Sequence, residues 1–284
     1  MENYTCCICL CVYNNEKGLP RIIENLKILM HLFKKTEIFF LYDKSDDNTL
    51  FILNDFKNQY DNINIFTNTK KRSIYTTENI CNARNSLLDI IRSYHISVWD
   101  YFIMMDCNEY SCIGNINIQT LNEVFCEINI NKWDAVSFDR EAGYYDIWAL
   151  SFGDFIYSFF HFNKKNTVYK NMKDCFENLL LEYKNKYNEF IPVYSAFNGF
   201  AIYKKEKFID CSYSTRIDID LFPPDILLKQ QKNNGCQIIN YFENDCEHRH
   251  FHLQAFHKGA KIMIYPRFVF HKISVPDPSL RGPA

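Results

Sequence analysis

The chain has 284 residues, 47% of them hydrophobic and including 25 Phe and 19 Tyr, which is apolar material for a large core. A formal net charge of −2 at pH 7 gives no general attraction to nucleic acid or anionic lipid, so an anionic ligand has to be met by local groups. The richness in Asn, Ile, Lys, Phe and Tyr matches A/T-built codons and says more about a genome than about a fold. No Gly/Ser/Pro-rich linker, charge block or repeat divides the chain. One α/β domain over residues 1–274 is expected, with 275–284 as a disordered tail.

Residues 6–13 form an apolar run that ends in Asn14, Asn15 and Glu16, the pattern of a buried strand followed by a polar loop. The run holds four of the twelve cysteines (Cys6, Cys7, Cys9, Cys11), and neighbours on one strand do not bridge with normal disulfide geometry. Reduced thiols in a cytosol are expected. The opening Met1-Glu2-Asn3-Tyr4 lacks the basic and apolar regions of a signal peptide, so secretion is not expected. Pro20 opens a helix with Ile22, Ile23, Leu26 and Leu29 on one face. A second strand, 37–42, runs into a loop, 43–49, suited to capping a helix that holds Leu50, Leu53 and Phe56; 62–66 is the third strand.

The β-α-β-α-β order predicts a mainly parallel sheet flanked by helices, and ligands of such sheets sit beyond the carboxyl ends of the strands. That rule selects Asn14, Asn15, Asp43 and Asp106. Further on come a helix over 78–94, a strand over 100–105, and strands over 135–138, 194–203 and 261–265. The apolar stretch 147–162 contains Asp154 and His161 and is short for a bilayer span, so it is read as buried or as a lid, with no membrane span.

Asp106-Cys107-Asn108-Glu109 follows the strand over 100–105. Alternate residues of an extended segment project the same way, so Asp106 and Asn108 can share a divalent ion that neutralises a diphosphate leaving group, whereas Glu109 points elsewhere unless the chain turns. A polar turn after a buried strand is the plain alternative. In Tyr144-Tyr145-Asp146-Ile147-Trp148 an acid stands among flat rings, which suits Asp146 to a sugar hydroxyl and Trp148 to a sugar face, although such rings are also ordinary core. Asn198-Gly199 can bring backbone near a sugar or form a bulge. Five of the eight histidines fall between His248 and His271, but Cys246 has no second knuckle at zinc-site spacing.

The ordered series formed by residues 78–85, 100–109, 133–139, 144–148, 195–201 and Cys246-Glu247-His248 resembles the GT-A class of glycosyltransferases. More narrowly, it resembles the fungal capsule-type mannosyltransferase family and the GT-A glycosyltransferases of large DNA viruses. The resemblance implies a GT-A-like (Rossmann-like) α/β fold. It implies transfer of a sugar from a nucleotide sugar, UDP-linked by preference, to a glycan or glycoprotein hydroxyl with Mn²⁺ or Mg²⁺, and a cytoplasmic setting, that of a host or a virion if the chain is viral. Asp106 corresponds to the first acid of the Asp-x-Asp motif, and Asn108 stands where a second Asp is usual, one charge fewer for the ion. Arg84 and Asn85 match an Ala-Arg-Asn element near the donor, where a guanidinium forks onto diphosphate oxygens. Tyr13, Asn14 and Asp43 fall at the nucleoside pocket. Glu247, with Asp245 behind it, is the candidate base for an inverting reaction, His248 lies beside it, and His271 is a candidate metal ligand or a solvated histidine. Two rival readings stay open. One is a sugar nucleotidyltransferase, for which Asn14-Asn15-Glu16-Lys17-Gly18 is a poor phosphate loop; the other is a non-catalytic carbohydrate-binding or scaffold protein with a decayed transferase fold.

Overall fold

The computed structural model describes residues 1–93, 98–108, 111–112, 114–141, 143–187, 189–239 and 244–271, without the side chains of 186 and 187. Tyr94, Glu109 and the tail 275–284 lie outside the described residues. The chain begins β1 (Thr5–Val12), α1 (Leu19–Met30), β2 (Lys35–Tyr42), α2 (Thr49–Gln59), β3 (Ile63–Thr67), α3 (Thr76–Ser93) and β4 (Tyr101–Asp106). It continues β5 (Asn115–Ile116), α4 (Ile118–Phe125), β6 (Ala135–Asp139), α5 (Lys165–Glu182), β7 (Ile191–Pro192), β8 (Phe200–Lys204) and α6 (Lys205–Phe208). Last come α7 (Pro224–Asn234), α8 (Glu247–His257), β9 (Ile262–Phe268) and β10 (Phe270–His271).

An eight-stranded sheet runs in the order β3-β2-β1-β4-β8-β6-β9-β7. β1, β2, β3 and β4 are mutually parallel, β8 lies antiparallel between β4 and β6, and β7 is antiparallel to β9. The sheet is therefore mixed and mainly parallel, with β5 and β10 forming a separate two-stranded ladder. Both faces are covered, which is why β1 reads as a continuous apolar run. Its residues alternate between two cores: Cys7 and Cys9 pack with Leu87, Leu88 and Ile91 of α3, while Ile8 and Leu10 pack with Ile22, Leu26 and Leu29 of α1 and with Phe56 of α2. The cysteines serve here as small apolar side chains; burial raises the Cys6 and Cys9 thiols well above their ordinary range.

One expectation needs correction. The strand expected over 194–203 begins only at Phe200, because Asn198 (φ 56°) and Gly199 (φ 87°) are both left-handed and break extended pairing. Leu50 is 39% exposed on α2, whereas Leu53 and Phe56 carry its packing. The stretch 147–162 is mostly interior: Ile147, Ala149, Leu150, Ile156 and Tyr157 are buried. Among the described residues no helix is long and apolar enough to cross a membrane.

Candidate active site

β1, β2 and β4 end in register, with Cys11 opposite both Leu41 and Asp106. A cavity of about 290 Å³ opens at these ends, walled by Tyr13, Asn15, Asp43, Arg72, Arg84, Asp106 and Asn108 among others. This is the location the strand-end rule selects.

At the end of β4 the Asp106 N–H donates to the Gly199 carbonyl (2.9 Å). Gly199 could not be another residue here: a Cβ would lie 2.5 Å from Cβ of Ser111, at a φ of +87°. Asp106 Oδ1 accepts from the Arg84 guanidinium (2.9 Å), and Oδ2 lies 3.2 Å from the Ser111 hydroxyl. Burial raises the Asp106 carboxyl above its ordinary value, and Arg84, Ser111 and Tyr145 only partly offset this.

Arg84 comes from α3 and is 6% exposed. Besides Asp106 it meets the Glu247 carboxylate and Nε2 of His248, both on the first turn of α8. Its guanidinium carbon lies 4.6 Å from the Phe197 ring centroid and 5.9 Å from that of Tyr213. Burial, the largest single influence, opposes the Arg84 charge, but Asp106 together with Tyr213, Cys11 and Cys246 outweighs it, so the pKa is raised. His248 stacks on Phe197 with centroids 3.9 Å apart; burial, then the Arg84 charge, hold it well below its ordinary value, so it is a neutral imidazole able to accept from Arg84. Asn85 lies outside this cluster, its amide making two bonds to the Tyr213 backbone (2.9 and 2.8 Å) and thereby setting that ring beside Arg84.

Asp146 accepts from the backbone of Ala149 (3.2 Å) and Asn198 (3.3 Å). Burial and then the negative charge of Asp106 push its carboxyl up to about 6. Asn198 is 4% exposed; its side chain bonds the Phe138 carbonyl (2.9 Å) and the amides of Tyr145 (3.3 Å) and Asp146 (3.4 Å). It shapes the turn that presents Asp146. The Tyr145 hydroxyl lies 3.0 Å from Ser111 Oγ, which completes a chain from Tyr145 through Ser111 to Asp106.

Other expected residues are placed differently. Asn14 is exposed and tied to the 43–47 loop, its N–H donating to Ser45 (3.0 Å) and its Oδ1 accepting from Asp46 (2.9 Å), and the neighbour Asn15 lines the cavity instead. Asp43 pairs with Arg72, which stacks on Tyr13 at 3.7 Å. Asp245 is buried against Arg249 (2.5 Å) and within 3.6 Å of His161. Although burial works the other way, Arg249 and His161 lower its carboxyl, and it acts as an anchor. His271 lies on β10 opposite Asn115, exposed and outside the described cavity wall. Trp148 packs against Phe160 (5.9 Å), and its carbonyl accepts from Arg249 (2.6 Å). His252 of the histidine run is occupied in the core by Ser195 (2.9 Å) and Tyr203 (3.1 Å).

The donor set at Asp106 fits a divalent ion only in part. Asn108 Oδ1 already accepts from the N–H (2.8 Å) and hydroxyl (2.7 Å) of Ser111, and among the described residues no group of three His, Cys, Asp or Glu side chains could hold a metal. One carboxylate and one amide carbonyl leave most of a coordination shell to ligand oxygens.

Ser111, Tyr145, Tyr213, Phe197 and Arg72 were not singled out in the sequence as site residues by their chemistry, whereas Asn15 was selected by its place after β1. Tyr145 and Phe197 sit inside motifs that were, and Arg72 ends the basic run Lys70-Lys71-Arg72, which was a usable signal for an anion site. Tyr213 has no local signal, because only the chain path brings it to Arg84.

A mainly parallel sheet whose strand ends carry a carboxylate, a buried guanidinium and a polar cavity defines an α/β protein of the GT-A-like (Rossmann-like) kind. Residues 7–105, from β1 through nearly all of β4, match Glycosyl transferase family 2. No curated protein matches. Among solved structures, the chain is similar to TarS 1-349 of S. aureus in complex with UDP-GlcNAc, at 14% identity and a TM-score of 0.47, over 94% of this chain and 57% of that one. It is similar to glucosyl-3-phosphoglycerate synthase of Mycobacterium tuberculosis with Mn²⁺, UDP and phosphoglyceric acid, at 11% identity and TM-score 0.40, over 72% of this chain and 57% of that one. It is also similar to the mannosyltransferase PcManGT of Pyrobaculum calidifontis with GDP-Man and Mn²⁺, at 13% identity and TM-score 0.43, over 76% and 49%. The chain thus spans about half the length of these structures, 57%, 57% and 49% of each.

Proposed function

We propose that this protein transfers a sugar from a nucleotide sugar, UDP-linked by preference, to a hydroxyl of a glycan or glycoprotein. The observation that carries the reading is Arg84, a buried guanidinium on the cavity wall that joins Asp106 at the end of β4 to Glu247 at the start of α8. A permanent cation beside a carboxylate at a strand end suits a diphosphate, whose charge grows as it leaves. The nucleoside end of the donor falls toward Tyr13, Asn15, Asp43 and Arg72, where flat and polar groups line the same cavity. Asp146, facing Asp106 through its field, is assigned to the transferred sugar's hydroxyls.

In the reaction we assign, an acceptor oxygen forms a bond to the anomeric carbon while the bond from that carbon to the diphosphate oxygen breaks. The electron pair leaves with the diphosphate, opposite the Arg84 charge, and the acceptor proton passes to Glu247. His248, neutral and stacked on Phe197, keeps Arg84 and Glu247 in place. Asp106 and Asn108 would hold Mn²⁺ or Mg²⁺ jointly with phosphate oxygens, and the bound ion supplies further charge neutralisation to the leaving group. A panel of UDP- and GDP-sugars incubated with protein and Mn²⁺ tests the reading. Release of nucleotide diphosphate that disappears in Asp106→Ala and survives in the surface variant Phe51→Ala supports it. No release and no thermal stabilisation by any donor leaves the non-catalytic reading standing.

A further inference from the structure

A second cleft, of about 660 Å³, lies beside the donor cavity, and Thr76 at the start of α3 is a wall of both. Ile74, Tyr75, Thr77, Trp148 and Phe160 make up most of the rest. We infer that this cleft is the acceptor subsite and that it takes the face of an uncharged sugar ring; the inference rests on the transferase reading above.

Three observations point this way. First, the lining is aromatic and apolar with a hydroxyl and amide rim from Thr76, Thr77 and Asn244, and among the described residues it includes no charged side chain. Sugar rings present C–H faces to aromatic side chains and hydroxyls to such rims, whereas a phosphorylated or carboxylated acceptor would need a cation in the lining, and Lys165, whose Nζ lies 5.1 Å from the Phe160 ring centroid, is not part of it. Second, the cleft is built. The Ser73 hydroxyl accepts from the Tyr75 N–H (3.1 Å), and the Asn79 side chain bonds the Ser73 N–H (2.7 Å) and carbonyl (2.8 Å), which fixes the segment carrying Ile74 and Tyr75. On the opposite side the Arg249 guanidinium holds the carbonyls of Trp148 (2.6 Å) and Leu150 (3.3 Å). Third, Trp148 is half-buried and packs against Phe160 with ring centroids 5.9 Å apart, so the two rings together form one wall of the cleft. Exposure of Ile74 (90%), Tyr75 (54%) and Phe160 (38%) in one place is the kind of apolar patch that marks a binding surface.

Arg249 also links this cleft to the reacting end. It sits on the same first turn of α8 as Glu247, so the helix that bears the proposed base fixes the position of Trp148. An acceptor ring lying on Trp148 and Phe160 would be positioned from the element that takes its proton.

Saturation-transfer NMR on the full chain, without donor, tests the inference with lactose, maltose and cellobiose as neutral probes and glucose 6-phosphate as the anionic one. At least one neutral disaccharide should receive saturation at its ring protons. Phe160→Ala and Tyr75→Ala, both at exposed positions and checked for folding by melting temperature, should each reduce it roughly fivefold or more, while Phe51→Ala on α2 should not. If no neutral probe responds, if glucose 6-phosphate responds more strongly, or if neither variant changes the response, the inference is overturned. Thermal stabilisation of the wild type by UDP with Mn²⁺ is read in parallel. Stabilisation by UDP with no sugar response sinks the acceptor subsite alone, whereas a sugar response without UDP binding sinks the transferase reading and the acceptor assignment with it, leaving a sugar-binding cleft.

Discussion

Replacing Arg84 by Met removes the cation that two carboxylates share while keeping most of the side-chain bulk. The Arg84 and Glu247 side chains are 7% and 5% exposed, and that of Asp106 is 23% exposed. Removing one partner of a buried ion pair typically costs about 3–5 kcal/mol, because the remaining charge stays desolvated and unpaired. For a chain of this size that corresponds to a fall in Tm of roughly 6–20 °C. Glu247→Gln should cost less, on the order of 1–2 kcal/mol, because Arg84 keeps Asp106 at 2.9 Å. In the double variant Glu247 no longer carries an unpaired charge, so the two losses should fall short of their sum by about 2 kcal/mol. Urea unfolding of the four proteins in the cycle measures this coupling. Additivity to within about 0.5 kcal/mol would refute the claim that Arg84 and Glu247 form one buried pair.

Acid should weaken the fold through α8. Burial first, and Arg84 after it, hold His248 well below its ordinary value, and burial with Arg84 and Arg249 brings His252 to about 3. The folded state keeps both neutral while the unfolded chain takes up protons, so their stability is present above about pH 6.5 and lost as pH falls, by about 2 kcal/mol for His252 at pH 5. Asp146, raised to about 6, works in the opposite sense and offsets on the order of 1 kcal/mol between pH 7 and 5. Melting temperatures across pH 8 to 4.5 should therefore decline below 6.5, and a flat profile would contradict the buried neutral histidines. Gly199→Ala forces a Cβ to within 2.5 Å of Ser111 at a φ of +87°, and should cost about 1–3 kcal/mol together with weaker UDP binding; an unchanged Tm would show that the strand end is not held as described. With Asn108 Oδ1 already bonded to Ser111, Mn²⁺ alone should bind weakly and UDP should tighten it at least about tenfold, which calorimetry with and without UDP resolves.

Much of the sheet was legible because β1, β2 and β4 are buried on both faces and read as apolar runs, and the residue after such a run marks the ligand end. Asp106, Asp43 and Arg84 were found in this way or through the motif order, and all three reach the cavity wall. The limits are equally physical. Asn14 and Asn15 are adjacent polar residues after one strand, and the left-handed φ of Asn14, 49°, turns the first outward and leaves the second lining the cavity. The run over 194–203 looked like a strand because composition carries no record of the two positive φ values at Asn198 and Gly199. Tyr213 beside Arg84, and Arg249 on the Trp148 carbonyl, act through contacts set by tertiary path, which no local pattern encodes.

The central claim is that Asp106 and Arg84 form the diphosphate site of a nucleotide-sugar transferase. Its most direct measurement is UDP-sugar turnover with Mn²⁺ in the wild type, Asp106→Ala and Phe51→Ala. The account predicts UDP release by the wild type and Phe51→Ala and its loss, by about 100-fold or more, in Asp106→Ala. Equal release by Asp106→Ala and wild type would contradict it.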